Sequence, residues 1–494
     1  MSPHFDFSDR LTMLKYTPVM GAVQAVLAAA LFSALPAHAN TREAELQQLR
    51  NQLQELRQQY EQRLQALEAR LNQAQQATAA SGAVPATTAD TTATATAMPA
   101  APSASRKGNS AFNPAIGMIL TGTYANLSKD PESWELSGFN LGGDGHGVGP
   151  GKRGFSLGES EITFSANVDN LAYGALTLGL DGDNEVEVEE AFVQSTALPF
   201  GLTLKGGRFY GALGYQNEQH AHTWSFVDLP LAHQAFLGGQ YKQEGAQLKW
   251  VLPTTQYIEL GAELGNGGAF PGSDRGGNAL GAALLSARTG GDVGDSHSWR
   301  LGASWLRTQA HERAWGLAHD HGHEGEEAHE AASFSGNSRM WVLDGVWKWA
   351  PNGNAKRTNF TLQGEYFWRQ DSGTASVPHD DHAHEDTYRS RQSGWYVQGV
   401  YQFAPQWRVG LRHDRLDSGS LRLGDSIATH YADHELATPG YNPKRTSLML
   451  DWSPSEFQRW RIQLNNDQAR QGVKDTQLYL QYQMSLGAHG AHAF

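Results

Sequence analysis

Histidine beside carboxylate recurs in four stretches of this 494-residue chain. The first holds His220, His222 and His233 with Glu218 and Asp228, and the second runs from His319 through His321, His323 and His329 to Glu330 with Asp320, Glu324, Glu326 and Glu327 between. A third reads His379-Asp380-Asp381-His382-Ala383-His384-Glu385-Asp386, and a fourth adds His430, Asp433, His434 and Glu435. Imidazole nitrogen with carboxylate oxygen is a borderline-soft ligand set that suits Zn, and also Cu or Ni, better than Mg or Ca. Ligands on polar connecting segments lack a fixed outer shell of hydrogen bonds, so such sites would be weak and exchangeable. That suits a path along which ions move. The competing reading is that solvated loops simply accumulate His, Asp and Glu. The His220-x-His222 pair stands apart because Trp224, Phe226 and Pro230 follow it and mark an ordered segment. His220 and His222 are therefore the first candidates for cation contact.

Other chemistries find little support. The chain has no Cys, which removes disulfides, thiolate metal sites, iron–sulfur clusters and thiol catalysis. Gly424-Asp425-Ser426 with His430 nearby lacks the strand-to-helix elbow that exposes a nucleophilic serine. No phosphate-binding Gly loop or zincin helix occurs, so the chain reads as a non-enzyme with no required cofactor. A formal charge of -13 disfavours nucleic acid as a partner and favours cations.

Four segments must position these residues. Gly21 to Leu35 is apolar, follows Lys15 and precedes Pro36-Ala37-His38-Ala39, which predicts a secretory signal over residues 1–39. Its removal leaves the net charge unchanged, because Arg10 and Lys15 leave with Asp6 and Asp9. Residues 40–77 carry Leu46, Leu49, Leu53, Leu56, Tyr60, Leu64, Leu67, Leu71 and Ala74 on a heptad seam with one extra four-residue step. One isolated helix cannot bury that seam, so a coiled coil and a homo-oligomer are expected, with dimer and trimer both open. Residues 78–110 are Ala, Thr, Pro and Ser with almost no large apolar group, a flexible tether.

From residue 111 onward the pattern has period two. Ile162, Phe164, Ala166 and Val168 form one such run; Trp341, Leu343, Trp347 and Trp349 another; Leu478, Leu480, Tyr482, Met484 and Leu486 a third. Polar residues and Gly fill the alternate positions, so one face is greasy and the other wet. Trp and Tyr near the run ends match the aromatic girdles of membrane barrels. Sixteen strands are predicted, near 115-126, 155-168, 172-181, 186-196, 201-210, 239-252, 256-265, 278-289, 297-308, 339-350, 358-370, 392-404, 406-416, 445-453, 457-466 and 475-487. Connections after even strands are short, and the long ones (127-154, 211-238, 309-338, 371-391 and 417-444) all follow odd strands. That asymmetry is expected of an outer-membrane barrel with both ends in the periplasm. The predicted class is all-β: a 16-stranded antiparallel transmembrane β-barrel with an N-terminal α-helical coiled coil. Glu159, Glu161, Glu187 and Glu189 fall in the wet phase and should face the lumen, with Arg208, Arg300, Arg369, Arg408 and Arg412 as a facing basic wall. Carboxylates in a pore lower the energy of a cation and raise that of an anion.

The order of signal, Leu-heptad helix, Ala/Thr/Pro tether and barrel ending in Phe494 resembles coiled-coil-bearing trimeric porins of the DcaP-like and phosphate-selective families. Phe112-Asn113-Pro114-Ala115-Ile116, Gly207-Arg208-Phe209, His220-Ala221-His222-Thr223-Trp224 and Asp228-Leu229-Pro230-Leu231 are similar to a group of zinc-associated outer-membrane porins. The resemblance implies a trimer, diffusion through a water-filled lumen, and a third extracellular loop folded inward as a constriction, with His220 and His222 in it. Phe494, in phase with Leu478 through Leu486, resembles the C-terminal assembly signal of outer-membrane proteins, from which His492 departs because an apolar residue is usual there; the dense Lys and Arg lining of a phosphate-selective pore is not seen.

The reading is a porin of a Gram-negative outer membrane, its helix in the periplasm and its partners lipid, small solutes or metal ions and further copies of itself. It would pass solutes passively and favour divalent transition metals such as zinc, weakly bound by His220, His222, His233, Asp228, His319, His321, His323, His329, His379, His382, His384, His430 and His434. The alternatives are a general or organic-acid porin with incidental His loops, and a surface metal-sequestering or adhesive protein anchored by its barrel.

Overall fold

The computed structural model describes residues 114–142, 148–180, 186–315, 332–379, 382–433 and 436–487. The expected signal, coiled coil and tether, Phe494, His434 and the run from His319 to His329 lie outside them.

Among the described residues, seventeen strands form one antiparallel sheet. They are β1 (Ala115–Leu127), β2 (Gly154–Leu157), β3 (Ser160–Asn167), β4 (Ala172–Leu180), β5 (Val186–Ser195), β6 (Leu202–Tyr210), β7 (Lys242–Val251), β8 (Tyr257–Gly265) and β9 (Ala282–Val293). They continue with β10 (His297–Ala314), β11 (Ser333–Trp349), β12 (Asn359–His379), β13 (His382–Ala404), β14 (Trp407–Leu423), β15 (Lys444–Ser455), β16 (Gln458–Gln468) and β17 (Asp475–Gly487). Both β2 and β3 pair with β1, and the register slips by one residue between Gly122↔Leu157 and Met118↔Ile162. They are two halves of one stave, joined at a bulge where the Thr121 amide donates to Ser160 Oγ (3.0 Å). The sheet therefore has sixteen staves, and it closes because β1 also pairs with β17.

Side-chain alternation sets which face is which. On β11, Trp341, Leu343 and Trp347 are exposed on the outside while Met340, Val342 and Val346 are buried inside. Exposed Trp250, Trp368, Trp407, Trp452 and Trp460 continue the outer aromatic set, the surface a lipid bilayer requires. Leu343→Arg is accordingly expected to destabilise the folded barrel by about 2–4 kcal/mol, the cost of a midplane charge on a lipid face. Urea titration of folding into lipid vesicles measures it, and a stability equal to wild type would show that Leu343 does not meet lipid.

The expected parity of connections is present. Turns such as 168–171, 405–406 and 456–457 are short, while 128–153, 211–241 and 424–443 are long. The expected loop 371–391 is different: β12 and β13 carry on pairing as far as His379 and His382, so a long hairpin stands where a loop was predicted. Beyond lipid the outer face no longer needs apolar residues, so the period-two signal fades while backbone pairing goes on. The hairpin packs Val377 and Tyr388 with Trp315, Phe334, Ile427 and Tyr431 in a small core of its own. The last two residues lie on α2 (Asp425–Asp433).

Part of the chain itself fills the interior. The segment 211–241 folds into the barrel, and every residue of its helix α1 (Leu231–Leu237) is buried. Leu136, Phe139 and Leu141 from the first long connection pack with α1 against inward-facing Leu284 of β9, Leu306 of β10, Met340 and Val342 of β11, Phe367 of β12 and Leu416 of β14. The inserted loop expected from the resemblance is present, and on this side it builds a dry core.

Candidate functional site

Several wall carboxylates tie down the inserted segment: Glu263 of β8 accepts from the Ala212 amide (2.8 Å), and four further clusters hold residues singled out above. Glu365 of β12 accepts hydrogen bonds from the Tyr215 and Gln216 amides (2.5 and 2.8 Å) and lies 2.7 Å from His233 Nε2. Glu218 pairs with Lys249 (2.9 Å) and with Arg288. Asp228 accepts from Arg412 (2.7 Å), Arg445 (2.9 Å), Gln463 (2.8 Å) and Asn465 (3.0 Å). Burial would raise the Asp228 pKa, but Arg445 and Arg412 outweigh it and bring it down to about 2.

The fourth cluster joins His220 and His222 to the acidic wall of β3 and β5. Nδ1 of His220 lies 3.2 Å from Glu161 and 3.4 Å from Glu189, and its Nε2 lies 3.1 Å from Glu190. Nδ1 of His222 lies 3.0 Å from the same Glu161 carboxylate. A short 3-10 turn over Ala221–Thr223 sets the two rings side by side, 5.7 Å apart and 29° from parallel. The Thr223 hydroxyl donates to the His220 carbonyl (2.8 Å) and Arg459 donates to the His222 carbonyl (2.7 Å), which fixes the backbone. Tyr210 meets His220 edge-on and donates to Glu189 (3.2 Å). Burial works against charge on His220, but the Glu161 charge, with Glu189 close to Nδ1 and the hydrogen bond to Glu190, holds its pKa well above the usual value. The side chains of His220 and His222 remain 24% and 18% exposed, against 2% for Glu161. Solvent reaches the rings.

The candidate residues separate into groups. Glu161, Glu189, His220 and His222 come together, and Glu159 sits beside Glu189 at the β2–β3 bulge. Glu187 pairs with Lys242 (2.6 Å). Arg412, with Arg408, Arg445 and Arg461, forms a basic region on β14–β16, and Arg461 donates to the Trp224 carbonyl. Arg300 lies over the Tyr215 ring and 4.0 Å from Asp344. Arg369 is buried against Phe236 and Phe270, 3.5 Å from Asp371.

Besides Arg369, which packs against Phe236 of the α1 core rather than joining a basic wall, three candidates differ from expectation. Asp228 is not beside a histidine; two guanidiniums claim it, because it faces β14 and β15. His233 is buried with Glu365, since α1 carries it away from the turn that holds His220. Arg208 pairs with Glu244 and donates to the Val188 carbonyl where β5 stops pairing with β6, so it plugs a gap in the wall rather than joining the basic region. In the outer hairpin, His382 is exposed and His384 stacks on His430 at 4.5 Å; the backbone of His379 pairs with that of His382. Ser426 lies in α2 and donates to Asp386 (2.9 Å).

Glu190 was missed, although the sequence marks it. Glu189-Glu190 breaks the alternation of Val186-Glu187-Val188, and the register shift opposite Thr177 and Leu178 turns both carboxylates inward. Glu365, Arg445 and Arg461 lie in the wet phase like many others, and nothing local distinguishes them.

No protein-family model matches the chain. A protein of Aquifex aeolicus described as uncharacterized is 28% identical over 410 residues, spanning 78% of this chain and 80% of that one. Among solved structures, the chain is similar to the outer-membrane channel DcaP of Acinetobacter baumannii (11% identity, 76% of this chain and 97% of that one, TM-score 0.44). It is also similar to OprB of Pseudomonas putida (14%, 76% and 94%, 0.45) and to an anion-selective porin from Comamonas acidovorans (10%, 76% and 99%, 0.43).

Proposed function

We propose that this chain is an outer-membrane channel for passive passage of small solutes, favouring cations and among them divalent transition metals such as zinc. The observation that carries the reading is the partly exposed His220–His222 turn, set against Glu161, Glu189 and Glu190 inside a barrel whose outer face is apolar. Carboxylates at that position lower the energy of a passing cation, and imidazoles beside them prefer transition metals to Mg or Ca. The heptad seam of residues 40–77 supports assembly of several copies, with that helix on the periplasmic side.

Planar-bilayer recordings test the channel. Wild-type protein under a KCl gradient is expected to conduct with a reversal potential favouring K+. In Glu161→Gln/Glu189→Gln the K+ over Cl- preference is expected to fall severalfold while conductance persists. No conductance from folded wild-type protein would overturn the channel reading, and an unchanged reversal potential in the variant would overturn the role of the acidic wall.

A further inference from the structure

We propose that Glu161, His220 and His222 bind one divalent transition-metal ion, which ties the inserted loop to strand β3. The proposal deepens the cation-channel reading and rests on it for the route by which the ion arrives. One donor atom from each residue lies within 4.8 Å of the other two, and this is the group found among the described residues that could hold a metal. Tetrahedral Zn–N and Zn–O bonds of about 2.0–2.2 Å place neighbouring donors roughly 3.3–3.5 Å apart. The Glu161 oxygens already lie 3.0 and 3.2 Å from the two rings, so a modest turn of the imidazoles closes the set. Two imidazoles and one carboxylate leave a fourth position for water, the composition of an open transition-metal site.

The surroundings match what such a site needs beyond its ligands. A ligating histidine ordinarily donates its other ring nitrogen to a carboxylate, which fixes ring orientation and makes the ligand more basic. His220 does this: with Nδ1 on the Glu161 side, its Nε2 lies 3.1 Å from Glu190. Glu189 stands 3.4 Å from Nδ1, steadied by Tyr210, within reach of the fourth position. The backbone that carries both rings is held by Thr223 and Arg459, so the pair does not depend on the metal to be assembled. Both rings are partly exposed, while the His220 Nδ1 atom is itself buried without a hydrogen-bond partner, a donor set toward the Glu161 oxygens. This differs from the outer His residues, where the His384–His430 stack brings no third ligand to the same point among the described residues.

The test uses full-length protein in detergent, with Zn2+ as probe and Mg2+ as control. Equilibrium dialysis is expected to show one fewer bound Zn2+ per chain in His220→Ala/His222→Ala than in wild type, with outer-loop binding unaffected and Mg2+ retained by neither. Glu190→Gln keeps all three ligands and is expected to weaken that one site by about 10- to 100-fold, as loss of an outer-shell partner does. Heat-modifiable migration on gels checks that each barrel has folded. Should the double variant fail to fold, His222→Gln, which leaves the His220 contacts in place, serves instead and is expected to lose the same ion. Unchanged zinc stoichiometry and affinity in a folded variant would overturn the site. Bilayer recordings on the same preparations separate the two readings. Conductance without loss of a zinc ion overturns the site alone, and loss of the ion without conductance in wild type overturns the channel alone.

Discussion

Glu365→Ala is expected to free the first half of the inserted loop while leaving the barrel folded. The Glu365 side chain is fully buried and serves three donors at once, the Tyr215 and Gln216 amides and His233. Without it, two backbone amides and an equally buried imidazole lose their partner, and each unsatisfied buried group costs about 1–3 kcal/mol. Even about 3 kcal/mol in total raises the population of the opened loop by more than about 100-fold. None of the three donors belongs to the strand ladder, so barrel closure does not depend on them. Hydrogen exchange at the 215 and 216 amides is the direct measurement, and larger or noisier single-channel currents should accompany faster exchange. Exchange as slow as in wild type would mean that the α1 core and the Glu218 pairs with Lys249 and Arg288 hold the loop without Glu365. Glu365→Gln separates charge from acceptor geometry, because the amide oxygen can still take one or two of the three bonds.

The outer surface of this barrel was legible in its sequence, and the interior largely was not. Period two places Trp341, Leu343 and Trp347 on lipid without reference to any distant residue, and the same local rule puts the first strand at Ala115 and the last at 475–487. What the inward residues meet is another matter. Met340 and Val342 sit in the wet phase yet lie in a dry core, because their partners are on α1, about a hundred residues away in sequence. Asp228 has the same side chain whether its neighbour is an imidazole or a guanidinium, and only the path of the loop decides for Arg412 and Arg445. His220 and His222 were found because the motif is local: two imidazoles one residue apart, next to aromatic residues that order the segment. Their acidic partners were half found. Glu161 and Glu189 follow the alternation, whereas Glu190 reaches the lumen only through a bulge.

Asp228→Ala is the complementary case, on the basic side of the lumen. Asp228 accepts from Arg412 and Arg445, both about 1% exposed, and from Gln463 and Asn465. Removing one member of a buried charge cluster costs about 3–5 kcal/mol, because the remaining charges stay desolvated without their partner. Asp414 still bonds Arg412 at 3.0 Å but stands 3.9 Å from Arg445, so Arg445 bears most of the loss. The segment from Val227 to Leu231 should detach, since its amides are held at 2.7 Å by Gln463 and at 3.0 Å by Asp414 in the same network. Exposed guanidiniums would then shift reversal potentials toward anions. The pH behaviour follows from the sign of the Asp228 shift. Its pKa in the fold, about 2, lies below the ordinary 3.8, so its contribution is complete above the ordinary carboxylate range and is lost as pH falls through about 2. Wild-type protein should thus keep the Val227 amide protected at pH 4, whereas Asp228→Ala should lose that protection already at pH 7. Equal exchange in both proteins at pH 7 would show that Asp228 is dispensable, and that the Asp414 bonds to Arg412 and to the Leu231 amide, with packing of Phe226 against Val400 and Met449, hold the basic side of the loop.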